Sequence, residues 1–187
     1  MKVALIGSHG VGKTTLCYEL AARLKRRNVD VEIVREVARR CPLPINRETT
    51  YDAQGWILHT QIAWEIEAAA AHELVLCDRS VVDNYCYMVH AVGAQKMWES
   101  LVDGWLRTYA LLIHVPLWGR PSYDGVRATD PLFQEQIDDL LEGMIATRAL
   151  RPLRLHPERR DAWCTDILDE LLPLIEPTLP LFPEENG

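Results

Sequence analysis

The sequence has no apolar run that approaches the roughly 20 residues needed to cross a membrane as a helix. Its N-terminal apolar run is also too short for the hydrophobic region of a secretory signal. We therefore expect a cytoplasmic protein without a membrane partner. The cysteines are few and form no C-x-x-C pair, which argues against a zinc or dithiol redox site and favours buried free thiols. They are Cys17, Cys41, Cys77, Cys86 and Cys164.

Positively charged residues are also fewer than negatively charged ones. The sequence has 20 lysines and arginines and 27 aspartates and glutamates, which gives a formal net charge of -7. This balance does not favour a nucleic-acid partner, although a local basic groove is compatible with it. With 187 residues, 48% of them hydrophobic, and no internal repeat, we predict one domain over residues 1–176. The proline-rich remainder, 177–187, is expected to be extended or disordered. Nothing in the sequence indicates an oligomeric state.

The strongest motif lies at the start of the sequence, where an apolar run is followed by G-x-x-x-x-G-K-[ST] and then by helical spacing. A strand, a glycine-rich loop and a helix N-terminus in this order cradle phosphate with backbone N–H groups. A chance match is less consistent with that context. Lys13 is expected to reach the β- and γ-phosphates of ATP or GTP, and the Thr14 hydroxyl to bind Mg²⁺. The predicted nucleotide-binding residues are Gly7, Ser8, His9, Gly10, Val11, Gly12, Lys13, Thr14 and Thr15.

Two later apolar runs end in charged residues, Arg35-Glu36 and Asp78-Arg79. Ligands of doubly wound sheets bind at the carboxyl ends of the strands, so both positions are candidates for the site. Glu36 is a candidate for the acceptor side, and Asp78 for a second carboxylate that helps to hold Mg²⁺. The alternatives are a solvated strand end or first turn of the 36–40 segment for Glu36, and a helix cap for Asp78 or Ser80.

Helical spacing predicts helices over 51–71, 81–92, 95–109, 132–149 and 158–175, with Pro173 kinking or ending the last one before Ile175. Apolar residues at four-residue intervals predict the buried face of the 51–71 helix, whereas Gln54 and Gln61 are expected to be exposed, with polar contacts to a ligand as the alternative. That face consists of Leu58, Ile62, Ile66 and Ala70.

A long loop over 117–131 follows the fourth predicted strand and carries Arg120, Tyr123 and Arg127. A mobile loop beyond the carboxyl edge of the sheet can close over a triphosphate and neutralise the developing charge. We therefore predict a lid, with an ordinary surface loop as the alternative.

Together, five segments resemble AAA-type ATPases related to the nicotinamide riboside kinase domain of NadR and, more distantly, thymidylate and deoxynucleoside kinases. The similarity runs from Met1 to about Leu172. The segments are Gly7 to Thr15, Arg35-Glu36-Val37-Ala38, Asp78-Arg79-Ser80, Tyr123-Asp124-Gly125-Val126-Arg127 and Pro157-Glu158-Arg159-Arg160.

The resemblance implies an α/β, three-layer P-loop NTPase fold, with a five-stranded parallel sheet in the order 2-3-1-4-5, flanking helices and a lid. It further implies that Glu36 handles the acceptor, that Asp78 and Arg79 form an acid–arginine pair, and that Arg120 and Arg127 act from the lid. Ser80 replaces the aromatic residue that thymidylate kinases carry after Asp-Arg, which brings the pattern nearer to nucleoside kinases.

The residues and the resemblance together predict a Mg²⁺-dependent kinase that transfers the γ-phosphoryl group of ATP or GTP to a small nucleoside-like acceptor. The alternatives are a nucleoside monophosphate kinase, a kinase for a nucleic-acid hydroxyl, and a nucleotide-dependent regulatory ATPase. The catalytic candidates are Lys13, Glu36, Asp78, Arg120 and Arg127. The substrate-binding candidates are Arg35, Glu36, Arg79, Asp83 and Tyr123, and the metal ligands are Thr14 and Asp78.

Overall fold

The structure is a computed structural model that describes residues 1–118 and 130–175. The strands are β1 (Lys2–Ile6), β2 (Val31–Val34), β3 (Leu74–Asp78), β4 (Leu111–His114) and β5 (Leu153–Arg154). The α-helices are α1 (Lys13–Lys25), α2 (Tyr51–Ala71), α3 (Val81–Val92), α4 (Lys96–Leu106), α5 (Pro131–Thr147) and α6 (Trp163–Ile175). Short 3₁₀ turns cover Val37–Arg40, Asn46–Glu48 and Pro157–Ala162. Within the two described ranges, none of the helices combines the length and the apolar character of a membrane span.

All five strands pair in parallel, in the order β2-β3-β1-β4-β5, which confirms the predicted topology. Leu5 of the central strand β1 lies opposite Asp78 of β3 on one side and Ile113 of β4 on the other. Because parallel strands present their carboxyl ends at one edge, the segments that follow β1, β2, β3 and β4 meet there.

The sheet is covered by helices on both faces, since alternate side chains of a strand point to opposite sides. Ala4 and Ile6 of β1 belong to a core shared with α2, α3, α4 and α5. Val3 and Leu5 belong to a second core shared with α1 and α6. The result is the predicted three-layer arrangement, with β1 buried at the centre.

The predicted buried face of α2 was right only at its start. Leu58 is 1% exposed and Ile62 packs against the core, but Ile66 is 56% exposed and Ala70 is exposed. Gln61 and Glu65 are instead fully buried, and Gln54 is 4% exposed. Alanine makes up much of the C-terminal half of the helix, so the apolar pattern offers little contrast between its faces. Part of this buried polar surface is hydrogen-bonded, as where Gln61 Nε2 donates to Glu65 Oε1 over 2.8 Å, whereas Oε1 of Gln54 and of Gln61 has no partner in the described residues.

The C-terminal helix also differs from its prediction. Residues Pro157–Ala162 form a 3₁₀ turn, and α6 begins only at Trp163. The helix continues through Pro173 to Ile175. Pro173 lies in the last turn, where few helical hydrogen bonds remain to be disrupted.

The five cysteines are free thiols, and all except the partly exposed Cys41 are buried. Across the parts of the chain that the structure describes, no group of three or more His, Cys, Asp or Glu side chains could hold a metal ion. The predicted C-terminal tail, 177–187, lies outside the described residues.

Candidate active site

The phosphate-binding loop occupies the turn between β1 and α1. Gly7, Gly10 and Gly12 have positive φ angles of 149°, 78° and 96°. A Cβ atom on Gly7 would lie 2.5 Å from the carbonyl oxygen of Val115, so the neighbouring strand end leaves room only for glycine. Gly12 precedes α1 and provides no side-chain cap. The N–H groups of the first helical turn have no acceptor within the helix, so they can serve a bound anion.

Lys13 lies inside the curl of this loop and is 3% exposed. Its Nζ donates to the carbonyl oxygens of Gly7 and Ser8 over 2.7 and 2.6 Å. Burial lowers the pKa of Lys13 to about 8, and the nearby positive charge of Arg79 acts in the same direction. The cation is thus confined beside the loop, where an added phosphate would stabilise its charge.

Thr14 and Asp78 meet at the adjacent ends of α1 and β3, where the Thr14 hydroxyl donates to Asp78 Oδ2 over 2.6 Å. The pKa of Asp78 is raised, because the effect of burial outweighs the opposing effect of the hydrogen bond from Thr14. Its Oδ1 atom is buried and has no hydrogen-bond partner among residues 1–118 and 130–175. Mg²⁺ prefers one or two protein oxygen ligands together with phosphate oxygens and water, so this pair fits the ion.

Glu36 lies beyond the end of β2, is 6% exposed and connects two arginines. Its Oε1 accepts from Arg79 Nε and its Oε2 from Arg39 Nε, each over 2.9 Å. Arg79 is 4% exposed, and its Nη1 has no hydrogen-bond partner in the described part of the chain. A buried guanidinium donor of this kind is suited to an oxyanion.

Glu36, Arg39 and Arg79 line a cavity that is bordered by α2 and α3. Gln54 Nε2 donates to Thr49 Oγ1 over 2.7 Å. In the described ranges, Gln54 Oε1 and Asn84 Nδ2 are buried without hydrogen-bond partners. The cavity therefore offers an unused acceptor and an unused donor near its wall. Its lining residues include His9, Glu36, Arg39, Gln54, Asn84 and Tyr87.

Two predicted substrate-binding residues lie elsewhere. Arg35 is exposed and lines a different groove, next to Arg40 and Trp64, so it does not share the cavity of Glu36. Successive side chains at a strand end point in opposite directions, which explains the separation.

Asp83 is 1% exposed and holds the loop rather than facing the cavity. Its Oδ1 accepts from the Gly7 N–H over 2.8 Å, and its Oδ2 accepts from the Ser80 N–H and hydroxyl over 2.9 and 2.8 Å. Ser80 and Asp83 form a capping box at the start of α3, so Ser80, not Asp78, caps this helix.

The structure thus brings the phosphate loop, Thr14, Glu36, Asp78 and Arg79 to one edge of the sheet. The predicted lid residues Arg120, Tyr123 and Arg127 lie outside the described residues. The sequence patterns did not assign Asn84 or Tyr87 to the site and gave ligand contact only as the alternative for Gln54. A signal for the burial of Gln54 was available in the sequence, because it lies on the same face of α2 as Leu58, Gln61 and Glu65.

Comparison with known proteins agrees with this architecture. Residues 2–160 match a family described as an AAA domain. The chain belongs to the AAA domain family. A search among curated proteins found no match to this AAA domain sequence.

Solved structures similar to this AAA domain include a deoxyadenosine kinase from M. mycoides with bound dATP. The two share 16% identity with a TM-score of 0.65, and the match covers 92% of this chain and 99% of the other. The same kinase with the products dCMP and dCDP shares 18% identity with a TM-score of 0.64, over 92% and 99% of the two chains. At this identity, the likeness shows a common fold.

Proposed function

We propose that the protein is a Mg²⁺-dependent kinase that transfers the γ-phosphoryl group of ATP or GTP to a hydroxyl of a nucleoside-like acceptor. The observation that carries the proposal is a group of buried polar atoms without partners in the described chain, beside the phosphate loop. They are Asp78 Oδ1, Arg79 Nη1, Gln54 Oε1 and Asn84 Nδ2. Buried polar atoms are normally hydrogen-bonded, so their concentration at one edge supports a polar ligand there.

The donor is held by the loop that ends in Lys13. Backbone N–H groups and the Lys13 ammonium bind its β- and γ-phosphates. Thr14 and Asp78 would hold Mg²⁺, which would supply positive charge to neutralise the phosphate oxygens. The NadR resemblance and the similarity to a deoxyadenosine kinase both favour a nucleotide donor of this kind.

Glu36 and Arg79 act on the acceptor side. A carboxylate oxygen of Glu36 takes the proton of the acceptor hydroxyl. The hydroxyl oxygen bonds to the γ-phosphorus of the donor, and the bond between the γ-phosphorus and the oxygen that bridges it to the β-phosphate breaks. Arg79, which is already bonded to Glu36, stabilises charge on the transferred group. We assign Arg120 and Arg127 a similar role from the lid.

The acceptor is recognised by the far wall of the cavity. Gln54 and Asn84 offer an amide acceptor and an amide donor, a combination that suits a nucleobase edge or a carboxamide. Tyr87 adds an aromatic ring. Nucleosides and nicotinamide riboside both have such groups, and the family resemblance makes the latter a specific candidate.

The paired arginines favour a hydroxyl over a phosphate as the acceptor. Arg39 and Arg79 both donate to Glu36, so that carboxylate offsets one of their two positive charges, and the remaining charge is the one assigned to the transferred group. A nucleoside monophosphate kinase needs additional cations for the acceptor phosphate, and Arg35 lies outside this cavity. A regulatory ATPase needs no acceptor cavity beside the phosphate loop.

An acceptor panel tests the proposal. Purified protein is incubated with Mg²⁺ and either ATP or GTP, and with nucleosides, nicotinamide riboside, their monophosphates or an oligonucleotide, and the products are identified by mass spectrometry. We expect phosphorylation of a nucleoside-like compound. Glu36→Gln should lower turnover by roughly 100-fold or more, typical of a lost general base, while donor binding persists. Nucleotide hydrolysis that no acceptor alters would instead identify a regulatory ATPase.

A further inference from the structure

A buried carboxylate lies behind the candidate active site. Glu65 of α2 is fully buried. It accepts hydrogen bonds from Lys2 Nζ at 2.9 Å, Gln61 Nε2 at 2.8 Å, Trp105 Nε1 at 2.7 Å and the Tyr109 hydroxyl at 2.7 Å. A buried charge is tolerated only when it is paired and hydrogen-bonded, and this carboxylate satisfies both conditions. Glu65 therefore connects α2 with β1, α4 and the segment before β4.

Two of the residues that donate to Glu65 also form hydrogen bonds with the turn between β3 and α3. Gln61 Nε2 also donates to the carbonyl oxygen of Arg79 over 3.3 Å. The Tyr109 hydroxyl accepts from the Val81 N–H over 3.3 Å. Both neighbours of the Gln61 amide are acceptors, so its NH₂ group must face them. Two connections thus run from Glu65 to the Arg79–Val81 turn.

This turn is strained. Arg79 has a φ angle of 102°, in a region that non-glycine side chains rarely adopt. The peptide unit between Arg79 and Ser80 is held on both sides, its carbonyl by Gln61 and its N–H by Asp83. A strained conformation persists only where surrounding contacts enforce it. The same conformation allows the Arg79 guanidinium to reach Glu36.

We propose that Glu65, Gln61 and Tyr109 are positioning residues that hold the Arg79–Val81 turn and thereby aim the Arg79 guanidinium at the transferred phosphoryl group. None of the three is among the residues that line the acceptor cavity. Their effect on the reaction passes through the Arg79 backbone. The catalytic part of this inference rests on the proposed kinase activity.

The test uses Gln61→Met and Tyr109→Phe, which each remove one connection to the turn, and Trp105→Phe as the control. Trp105 donates to the same carboxylate but has no hydrogen bond to the turn in the described chain. We expect amide hydrogen exchange at Ser80 and Val81 to rise about 10-fold in the first two variants, as for the loss of one buried hydrogen bond. Trp105→Phe should leave the exchange rates of the Ser80 and Val81 amides unchanged relative to those of the amides in the sheet.

Turnover provides the second measurement. Gln61→Met and Tyr109→Phe should each lower kcat about 10-fold while the KM for ATP stays within about twofold, because only the transition-state contact of Arg79 is displaced. In an Arg79→Lys background, Gln61→Met should lower kcat no further, since both changes remove the same guanidinium contact. A residue with a merely structural role would lower activity equally in both backgrounds.

Unchanged exchange at Ser80 and Val81 in both variants would overturn the inference. An equal loss of kcat in Trp105→Phe, or additive losses with Arg79→Lys, would do the same. The exchange measurement needs no activity, so it decides whether Gln61 and Tyr109 hold the turn even if the kinase assignment fails. A failed assignment would show instead as the absence of phosphoryl transfer by the unmodified protein.

Discussion

Replacing Asp83 with asparagine tests whether one buried carboxylate ties the phosphate loop to α3. Asp83 is 1% exposed and accepts from the Gly7 N–H, the Ser80 N–H and the Ser80 hydroxyl. Asparagine keeps the shape but accepts through only one atom, so its NH₂ group must face either Gly7 or Ser80. Leaving a buried donor unsatisfied costs about 1–3 kcal/mol. For a chain of this size, that corresponds to a fall in Tm of roughly 2–12 °C.

The same change should weaken nucleotide binding. Gly7 begins the phosphate loop, and its N–H is held by Asp83 over 2.8 Å. We expect the Kd for Mg-ATP, measured by isothermal titration calorimetry, to rise about 10-fold, which corresponds to roughly 1.4 kcal/mol. Asp139→Asn, the same chemical change on the exposed face of α5, is the control and should alter neither quantity. If Asp83→Asn kept the Tm and Kd of the unmodified protein, Asp83 would not tie the phosphate loop to α3.

Three further predictions follow from burial and pairing. Burial lowers the pKa of Lys13 to about 8, so its charge is lost as pH rises through that value, and calorimetry should show ATP affinity falling toward 10-fold per pH unit above it. A pH-independent Kd would be inconsistent with this role. Burial raises the pKa of Asp138 to about 6, so its ionised form destabilises the fold above that pH. After allowance for partial exposure, Asp138→Asn should raise the free energy of unfolding by about 1–2 kcal/mol at pH 7.5 and change it little near pH ~3, where both states are largely protonated. Finally, Arg39→Ala should lower kcat/KM for the acceptor about 10-fold through loss of its bond to Glu36, whereas Arg35→Ala should change it less than twofold. Equal losses in steady-state assays of the two variants would contradict the assigned cavity.

The parts of the site that sequence could predict are those set by local pattern. The G-x-x-x-x-G-K-[ST] motif is specific when it lies between a strand and a helix, so Gly7 to Thr15 could be assigned from their order alone. Glu36 and Asp78 could be brought together because parallel strands end at one edge of the sheet. These inferences required no knowledge of side-chain packing.

The remaining features depend on contacts between distant segments. The rotation of α2 is set by partners of Glu65 that come from β1 and α4, which no periodicity within the helix encodes. A 3₁₀ turn after Glu36 brings residues three apart to the same side, so Arg39 reaches Glu36 while Arg35 does not. Asp83 could not be distinguished from a substrate ligand because its partner Gly7 lies 76 residues away.

Transfer of label from γ-labelled ATP, with and without the acceptor found in the panel, is the decisive measurement for the kinase assignment. We expect labelled acceptor with the unmodified protein. With Lys13→Ala we expect a loss of at least ~100-fold in turnover, the scale typical of removing a preorganised charge from a transition state. Near-normal transfer by Lys13→Ala, or label that reaches only free phosphate whether or not an acceptor is present, would contradict it.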